Sequence, residues 1–471
     1  MTPTYQLHLP IEDTGRVDLE GSYRDRLVTL LSQDLDFHEC DSKYASHNFH
    51  SFPAKFPPQL PNKFIEGLTD SGDLVLDPMM GSGTTVVEAY LCDRQGIGFD
   101  IDPLALLVAR VKVTPLDLEQ VAQLGSKILK RARIATVERR HDLEEQLTNH
   151  WDAKTRKFVN YWFAHETQIH LLALAAEIEQ ITDESIRAFF ELAFSAIIIT
   201  KSGGVSLAFD LAHTRPHRAK VVYTQEGDVV TGHDLVDSLS SRVKFLTKTL
   251  RSPLDEFEKR FKQNLAGLQT LRMGMNQPRI LLGNAQSLPL NEGAVDLIVT
   301  SPPYAANAID YMRAHKFSLV WMGHKLSDLS QKRGEYIGGE AVTGIDYEEL
   351  PDEAAKVVAD IASVDEKKGC VLHRYYSEMT RTLREMFRVL KPGKAALTVV
   401  GSSTMRGKDT STHTCLAAIG QAIGFDVPKI GVRYLDRNRR MMPAGAQVDS
   451  ESQIQQRMHE EYVIGFYKPE V

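Results

Sequence analysis

A short apolar strand that runs without a break into a glycine-rich turn and then a helix leaves this chain few folds to choose from. Residues 74–76, Leu-Val-Leu, are followed by Asp77-Pro78-Met79-Met80-Gly81-Ser82-Gly83-Thr84-Thr85 and by the helix-prone Val86-Val87-Glu88-Ala89-Tyr90-Leu91. Strand, glycine turn and helix form the nucleotide-binding corner of an open α/β sheet, where missing side chains let a ligand reach the backbone. No Gly-Lys-Ser/Thr closes the turn, so it is not a phosphate loop. With only Gly81 and Gly83 it is not Gly-x-Gly-x-x-Gly either. The next strand, Gly96-Ile97-Gly98-Phe99, ends in Asp100-Ile101-Asp102-Pro103. An acid at that place holds a ribose diol, the role expected of Asp100. Asp102, directly before Pro103, reads as a helix N-cap.

A second motif lies more than 200 positions downstream. The strand-like run Val295-Asp296-Leu297-Ile298-Val299 closes in Thr300-Ser301-Pro302-Pro303-Tyr304. Two prolines fix φ and remove two N–H donors, so carbonyls there project as acceptors. A hydroxyl, a rigid carbonyl and a flat ring at a sheet's carboxyl edge suit a planar amine held edge-on and face-on. Alone, the motif reads more readily as a plain turn leaving a strand.

Taken in order, Asp-Pro-Met-Met-Gly-Ser-Gly-Thr-Thr, Gly-Phe-Asp-Ile-Asp-Pro and Thr-Ser-Pro-Pro-Tyr resemble the amino-directed DNA methyltransferases. His50-Ser51-Phe52-Pro53-Ala54-Lys55-Phe56-Pro57-Pro58 resembles the family segment that packs over the methionine end of the cofactor. Gly283-Asn284-Ala285-Gln286 matches a further element, with Asn284 where the family usually has Asp; its carbonyl oxygen still accepts a hydrogen bond. The resemblance covers about residues 45–115 and 279–468. It implies a Rossmann-like doubly wound methyltransferase sheet, of class α/β, with a large helical insert and a second smaller insert. It also implies S-adenosylmethionine, held by Lys55, by Asp77, Pro78, Met79, Gly81, Ser82, Gly83, Thr84 and Thr85, by Asp100 and Ile101, and by Asn284 and Ala285.

The same resemblance implies the chemistry. An exocyclic amine is a poor nucleophile, because its lone pair is delocalised into the ring. Acceptors for both N–H groups localise that pair: the Ser301 side-chain oxygen and the Pro302 carbonyl, with Pro303 keeping the loop rigid and Tyr304 stacking on the base. The base must leave the duplex. Methylation at cytosine carbon 5 would need a thiol nucleophile, and no Pro-Cys pair occurs. Ser rather than Asp at 301 leans the target toward cytosine N4. Adenine N6, an RNA base and a non-catalytic recognition subunit remain as other readings.

Residues 1–44 read as a polar lead-in, 45–115 and 279–471 as the catalytic domain, and 116–278 as a mainly helical insert with a possible DNA-recognition role. Residues 325–368, with Gly334, Gly338, Gly339 and Gly344, read as an insert loop or lid. Pro351-Asp352 with Glu366-Lys367-Lys368 formally fits a nuclease pattern, but the intervening residues read as helix. A net charge of −7 gives no general affinity for nucleic acid, so duplex DNA must be gripped by local patches. Arg215, Arg218 and Lys220 form one candidate, and Arg437, Arg439 and Arg440 another. Lys259, Arg260 and Lys262 read as a solvated helix face. The four cysteines show no Cys-x-x-Cys pairing, and His47, His50, His213 and His217 lack a third ligand, so no metal is expected. Scattered cysteines, no export signal and no long apolar run lead to the expectation of a cytoplasmic protein, with a cognate restriction enzyme as a possible partner.

Overall fold

In the computed structural model, residues 20–53, 55–211, 216–269, 276–305, 310–401, 403–435 and 460–470 are described. Seven strands form one sheet: β1 (Leu74–Asp77), β2 (Gln95–Asp100), β3 (Arg279–Leu282), β4 (Val295–Thr300), β5 (Leu390–Gly401), β6 (Asp426–Tyr434) and β7 (Glu460–Tyr467). Their spatial order is β6-β7-β5-β4-β1-β2-β3. Neighbours from β3 through β5 are parallel, while β7 runs antiparallel to both β5 and β6. From β1 the chain winds out to β2 and β3 on one side, then returns to β4 on the other. That reversal opens a crevice at the strands' carboxyl ends.

The two faces follow from side-chain alternation. Val75, Leu297, Val299, Ala395 and Leu397 point into a core with Leu27, Leu30, Leu31, Leu60 and Phe64. Their neighbours Leu76, Ile298 and Ala396 pack on the other side with Tyr375, Met379, Leu383 and Leu416. Every residue of β4 is buried, as expected for a parallel strand covered on both faces. Leu27, Leu30 and Leu31 belong to the helix Tyr23–Ser32, which begins with a reciprocal Ser22–Asp25 capping box. The described part of the lead-in therefore packs on the sheet.

Between the helix Pro103–Val113 and β3 the described residues form six helices of ten or more residues. Three of them start at an aspartate N-cap, Asp117, Asp152 and Asp183. Their core joins Phe189, Phe190, Phe257 and Phe261 to Phe49, Phe52, Leu104 and Val108 beside the sheet. The helical insert thus closes directly on the rim of the crevice. It also carries two small sheets, one of Ala208–Asp210 with His217–Arg218, the other of Val221–Tyr223, Val229–Thr231 and Thr247–Thr249. Of these strands, the run around 219–223 is the clearest in the sequence. The Lys248 ammonium gathers the carbonyls of Ser202, Gly204, Ser206 and Ala208 at 2.7–3.0 Å, and its burial lowers its pKa to about 7.

The second insert carries the helix Leu326–Lys332, a 3-10 turn at Arg333–Glu335 and the helix Asp352–Ala362. Asp352 and Glu366 each begin a helix, so the Pro-Asp and Glu-Lys-Lys residues do not stand on a strand. Among the described residues no helix is long and apolar enough to cross a membrane.

Candidate active site

The glycine turn is shaped by two positive φ values, 48° at Gly81 and 76° at Gly83, which side chains rarely adopt. Gly83 caps the helix Thr84–Leu91, and a Cβ there would lie 2.8 Å from that of Ala109. Its role is close packing of the turn. At Gly81 a Cβ would meet Phe52 Cε1 at 3.3 Å, so the bare backbone keeps the crevice open. The Thr85 hydroxyl donates to the Val299 carbonyl at 3.0 Å, fastening the helix to β4.

Three carboxylates organise the strand ends. Asp77 is buried and accepts from the Thr300 hydroxyl at 2.7 Å and the Met79 N–H at 3.2 Å, linking the ends of β1 and β4. Burial outweighs those bonds and pushes its pKa up to about 6. Asp100 accepts from the Gly81 N–H through one oxygen and from the Asp102 N–H through the other, both at 2.8 Å. Desolvation, with Asp102 nearby, pushes it up to about 7. Asp102 caps the helix Pro103–Val113 through the Leu104 N–H, as its place before Pro103 predicts. Its second oxygen meets His315 Nδ1 at 2.6 Å and accepts from the Tyr336 hydroxyl at 2.8 Å.

These groups surround one cavity of ≈ 690 Å³, within the range of small-molecule sites. Of the residues singled out in the sequence, Lys55, Asp77, Pro78, Met79, Gly81, Ser82, Thr84, Asp100, Ile101, Asn284, Ala285, Ser301 and Pro303 line it. Gly83, Thr85, Pro302 and Tyr304 are not among its lining residues. The Tyr304 hydroxyl donates to Glu461 at 2.7 Å, and Glu461 is paired with Arg433. The Asn284 side-chain oxygen accepts from the Gln286 N–H at 3.0 Å. Lys55 donates to the carbonyls of His47 and His50 at 3.0 and 3.2 Å, and burial lowers its pKa to about 8. Fully buried Lys112 donates to the Ser82 carbonyl at 2.7 Å, and burial, with Lys55 nearby, holds its pKa well below the ordinary lysine value.

The far wall comes from residues 333–341 of the second insert. Arg374, 3% exposed, donates to the carbonyls of Gly334, Tyr336 and Ala341 at 3.0–3.3 Å and to Glu378 at 2.8 Å. Glu378 in turn accepts from the Gly338 N–H at 2.7 Å. Residues 333–341 belong to the segment read from the sequence as an insert loop or lid, and here they line one side of the cavity. Phe52, Tyr311, Tyr336 and Arg374 were not singled out in the sequence as site residues; all four line the cavity. Phe52 lay inside a quoted segment, and nothing marked the other three.

Of the basic patches, Arg218 lies 4.8 Å over the Tyr161 ring and Lys220 is exposed. Arg215, Arg437, Arg439 and Arg440 lie outside the described residues, as does His213. Lys259 and Lys262 are paired with Glu256 and Glu258 on their own helix. His47 is buried against Glu88 at 2.6 Å, and His50 against Ser195 at 3.0 Å.

A doubly wound sheet with a glycine turn after β1, an acid ending β2 and a polar Pro-Pro loop after β4 makes a Rossmann-like fold whose cavity has the shape of a nucleotide-cofactor site. Residues 32–110 match the DNA methylase family. The chain is 25% identical over 393 residues to the type II methyltransferase M.MvaI of Kocuria varians, covering 80% of this chain and 81% of that one. It is 24% identical over 453 residues to M.AvaI of a Nostoc species, covering 88% and 86%. To M.MjaII of Methanocaldococcus jannaschii it is 32% identical over 114 residues, 24% of this chain and 22% of that one. Along most of its length the chain is thus similar to type II DNA methyltransferases, and over residues 32–110 to the DNA methylase family, enzymes whose methyl donor is S-adenosylmethionine. The cavity suits that donor: a glycine turn a Cβ would crowd, a carboxylate at the end of β2, and the Asn284-Ala285 edge beside it.

Proposed function

We propose that this chain methylates the N4 amine of cytosine in duplex DNA, as the modification enzyme of a restriction–modification system. One observation carries the reading: the glycine turn and Ser301 line the same cavity, although β1 and β4 are joined only through the whole helical insert. S-adenosylmethionine, when bound, supplies an electrophilic methyl group on a sulfonium.

The chain's own residues do the rest. Asp100 would hold the ribose hydroxyls, Gly81 and its neighbours would offer backbone to the cofactor, Asn284 and Ala285 would serve its adenine, and Lys55 would serve its methionine end. The Ser301 oxygen and the Pro302 carbonyl accept from the target amine and aim its lone pair. Pro303 stiffens that loop. Tyr304, anchored at its hydroxyl by Glu461, supplies the ring for the flipped base. Ser301 at the head of the motif favours cytosine over adenine. Residues 45–115 and 279–471 serve as the catalytic domain, the inserts 116–278 and 325–368 are the two candidates for reading DNA, and Arg218 and Lys220, with Arg215, Arg437, Arg439 and Arg440, are the candidates for phosphate contacts. The relatives' naming as type II methyltransferases supports a cognate restriction enzyme as partner.

The test is direct. Labelled cofactor is offered with duplex DNA, single-stranded DNA or RNA, and the modified nucleoside is identified by mass. N4-methylcytosine from duplex DNA is expected. N6-methyladenine would overturn the target assignment, and label in RNA alone would overturn the substrate class.

A further inference from the structure

One carboxylate on the cavity lining is shared by two guanidiniums. Asp310 Oδ2 meets Arg313 Nε at 2.6 Å and Arg333 Nη2 at 2.5 Å, and all three residues line the cavity. Arg313 stands in the first turn of the helix Tyr311–Leu319, and Lys316 follows one turn later on the same face. The Lys316 ammonium lies 5.1 Å over the Phe158 ring, on the helix Ala153–Trp162 of the helical insert. Lys154, Lys157 and Tyr161 of that helix are exposed and share one face, and Arg218 lies over the Tyr161 ring. A band of cations therefore runs from the cavity, across Lys316, onto the insert.

Gathering these cations costs stability. Burial lowers the pKa of Lys316; Asp310 opposes that shift, and Arg333, Arg313 and Lys154 reinforce it. Among the described residues no ion pair holds Lys154, Lys157 or Lys316. The acids beside them are Asp310, held between the two arginines, Asp152, which caps the insert helix, and exposed Glu335. In a chain of net charge −7, cations crowded next to the cavity suit a polyanion. A nucleotide turned out of a duplex stays joined to its strand by a phosphate on each side, so a base in the cavity brings both phosphates to the rim. Two guanidiniums sharing one carboxylate keep a positive excess there, in a forked geometry that matches phosphate oxygens.

We propose that Arg313 and Arg333 hold the phosphates flanking the flipped nucleotide, and that Lys316, Lys154 and Lys157 carry the same DNA strand onto the helical insert. This rests on the duplex-DNA reading above, to which it adds a path for the strand from the cavity toward Arg218. The track acts by fixing the strand over the cavity and touches none of the reacting atoms.

Fluorescence anisotropy on the full chain tests it, with a labelled duplex DNA that the wild type methylates, over about 50 to 200 mM salt. Arg313→Gln and Arg333→Gln should each lower affinity about fivefold near physiological salt and flatten the salt slope by about one unit. The double variant Lys154→Gln with Lys157→Gln should flatten it by about two. Arg333→Lys keeps the charge and should keep the parental slope, and calorimetry should show parental S-adenosylmethionine affinity in every variant. Parental slopes throughout would overturn the track, and so would a loss of affinity at an unmoved slope, which marks a structural role. Weakened cofactor binding with parental slopes would assign the arginines to the cofactor instead. The exposed lysine pair guards against an arginine variant that fails to fold. A wild type that bound no duplex DNA would overturn the DNA reading itself, whereas parental slopes in variants of a DNA-binding wild type would overturn only the track.

Discussion

The floor and the far wall of the cavity are built on opposite principles. The floor is made of strand ends: Asp77, Asp100 and Ser301 follow buried strands directly, and their positions are set by the hydrogen-bonded register of β1, β2 and β4. The wall of residues 333–341 has no ladder at all. It hangs from one buried ion pair, Arg374–Glu378, and from the Tyr336 hydroxyl on Asp102. A floor fixed by a sheet gives rigid chemistry, and a wall fixed by a few charged contacts gives a surface that one substitution releases.

The sharpest way to break this contrast is Arg374→Met. It leaves Glu378 buried with its charge partner gone, which costs about 3–5 kcal/mol. Denaturant unfolding should show that loss, and hydrogen exchange should rise over 333–341 well before it rises in β1 or β4. Adding Glu378→Met should restore much of the stability. If the strands exchanged as fast as the wall in the single variant, the two regions would not be independently supported.

A second test addresses the floor. Asp100 has its folded pKa raised to about 7, above the ordinary carboxylate value of about 3.9. Its proton is bound more tightly in the folded state, so its contribution to stability is fully present below about pH 4. That contribution is lost as pH rises toward 7. Asp77, raised to about 6, acts in the same direction. Asp100→Asn should therefore flatten the fall in melting temperature between pH 4 and 7, and should weaken cofactor binding. A variant with the parental pH profile would show that Asp100 does not carry this term.

The smallest expected effect lies farthest from the floor. Lys220 is exposed and is proposed as a phosphate contact; on that proposal Lys220→Ala should weaken DNA binding evenly across sequences and flatten the salt slope by about one unit. Arg218, stacked over Tyr161, should lose packing as well as charge when truncated. Parental affinity and salt slope in both variants would remove this face from the DNA interface.

The same contrast explains how much the sequence discloses. β1, β2 and β4 are legible because each is an unbroken apolar run that ends in a proline or glycine signal, and the floor residues sit at those ends. Strands of three residues such as Val229–Thr231 and Thr247–Thr249 show no period and are invisible beside long helices. The wall is unreadable for another reason. Arg374 looks like one more charge in a charged helix, and only the fold places its guanidinium beneath three carbonyls. Tyr304 is a mixed case: the motif names it, but its tie to Glu461 on β7 becomes visible only once the strands are paired.

Ser301→Ala tests the central claim most directly, under single-turnover conditions with saturating cofactor and duplex DNA. The account predicts an unchanged melting temperature, unchanged S-adenosylmethionine affinity and a methylation rate lowered by about 10²–10³-fold, the cost of losing one positioned polar contact. A parental rate would contradict the role of Ser301, and a collapsed melting curve would mark the Ser-Pro-Pro loop as a structural turn.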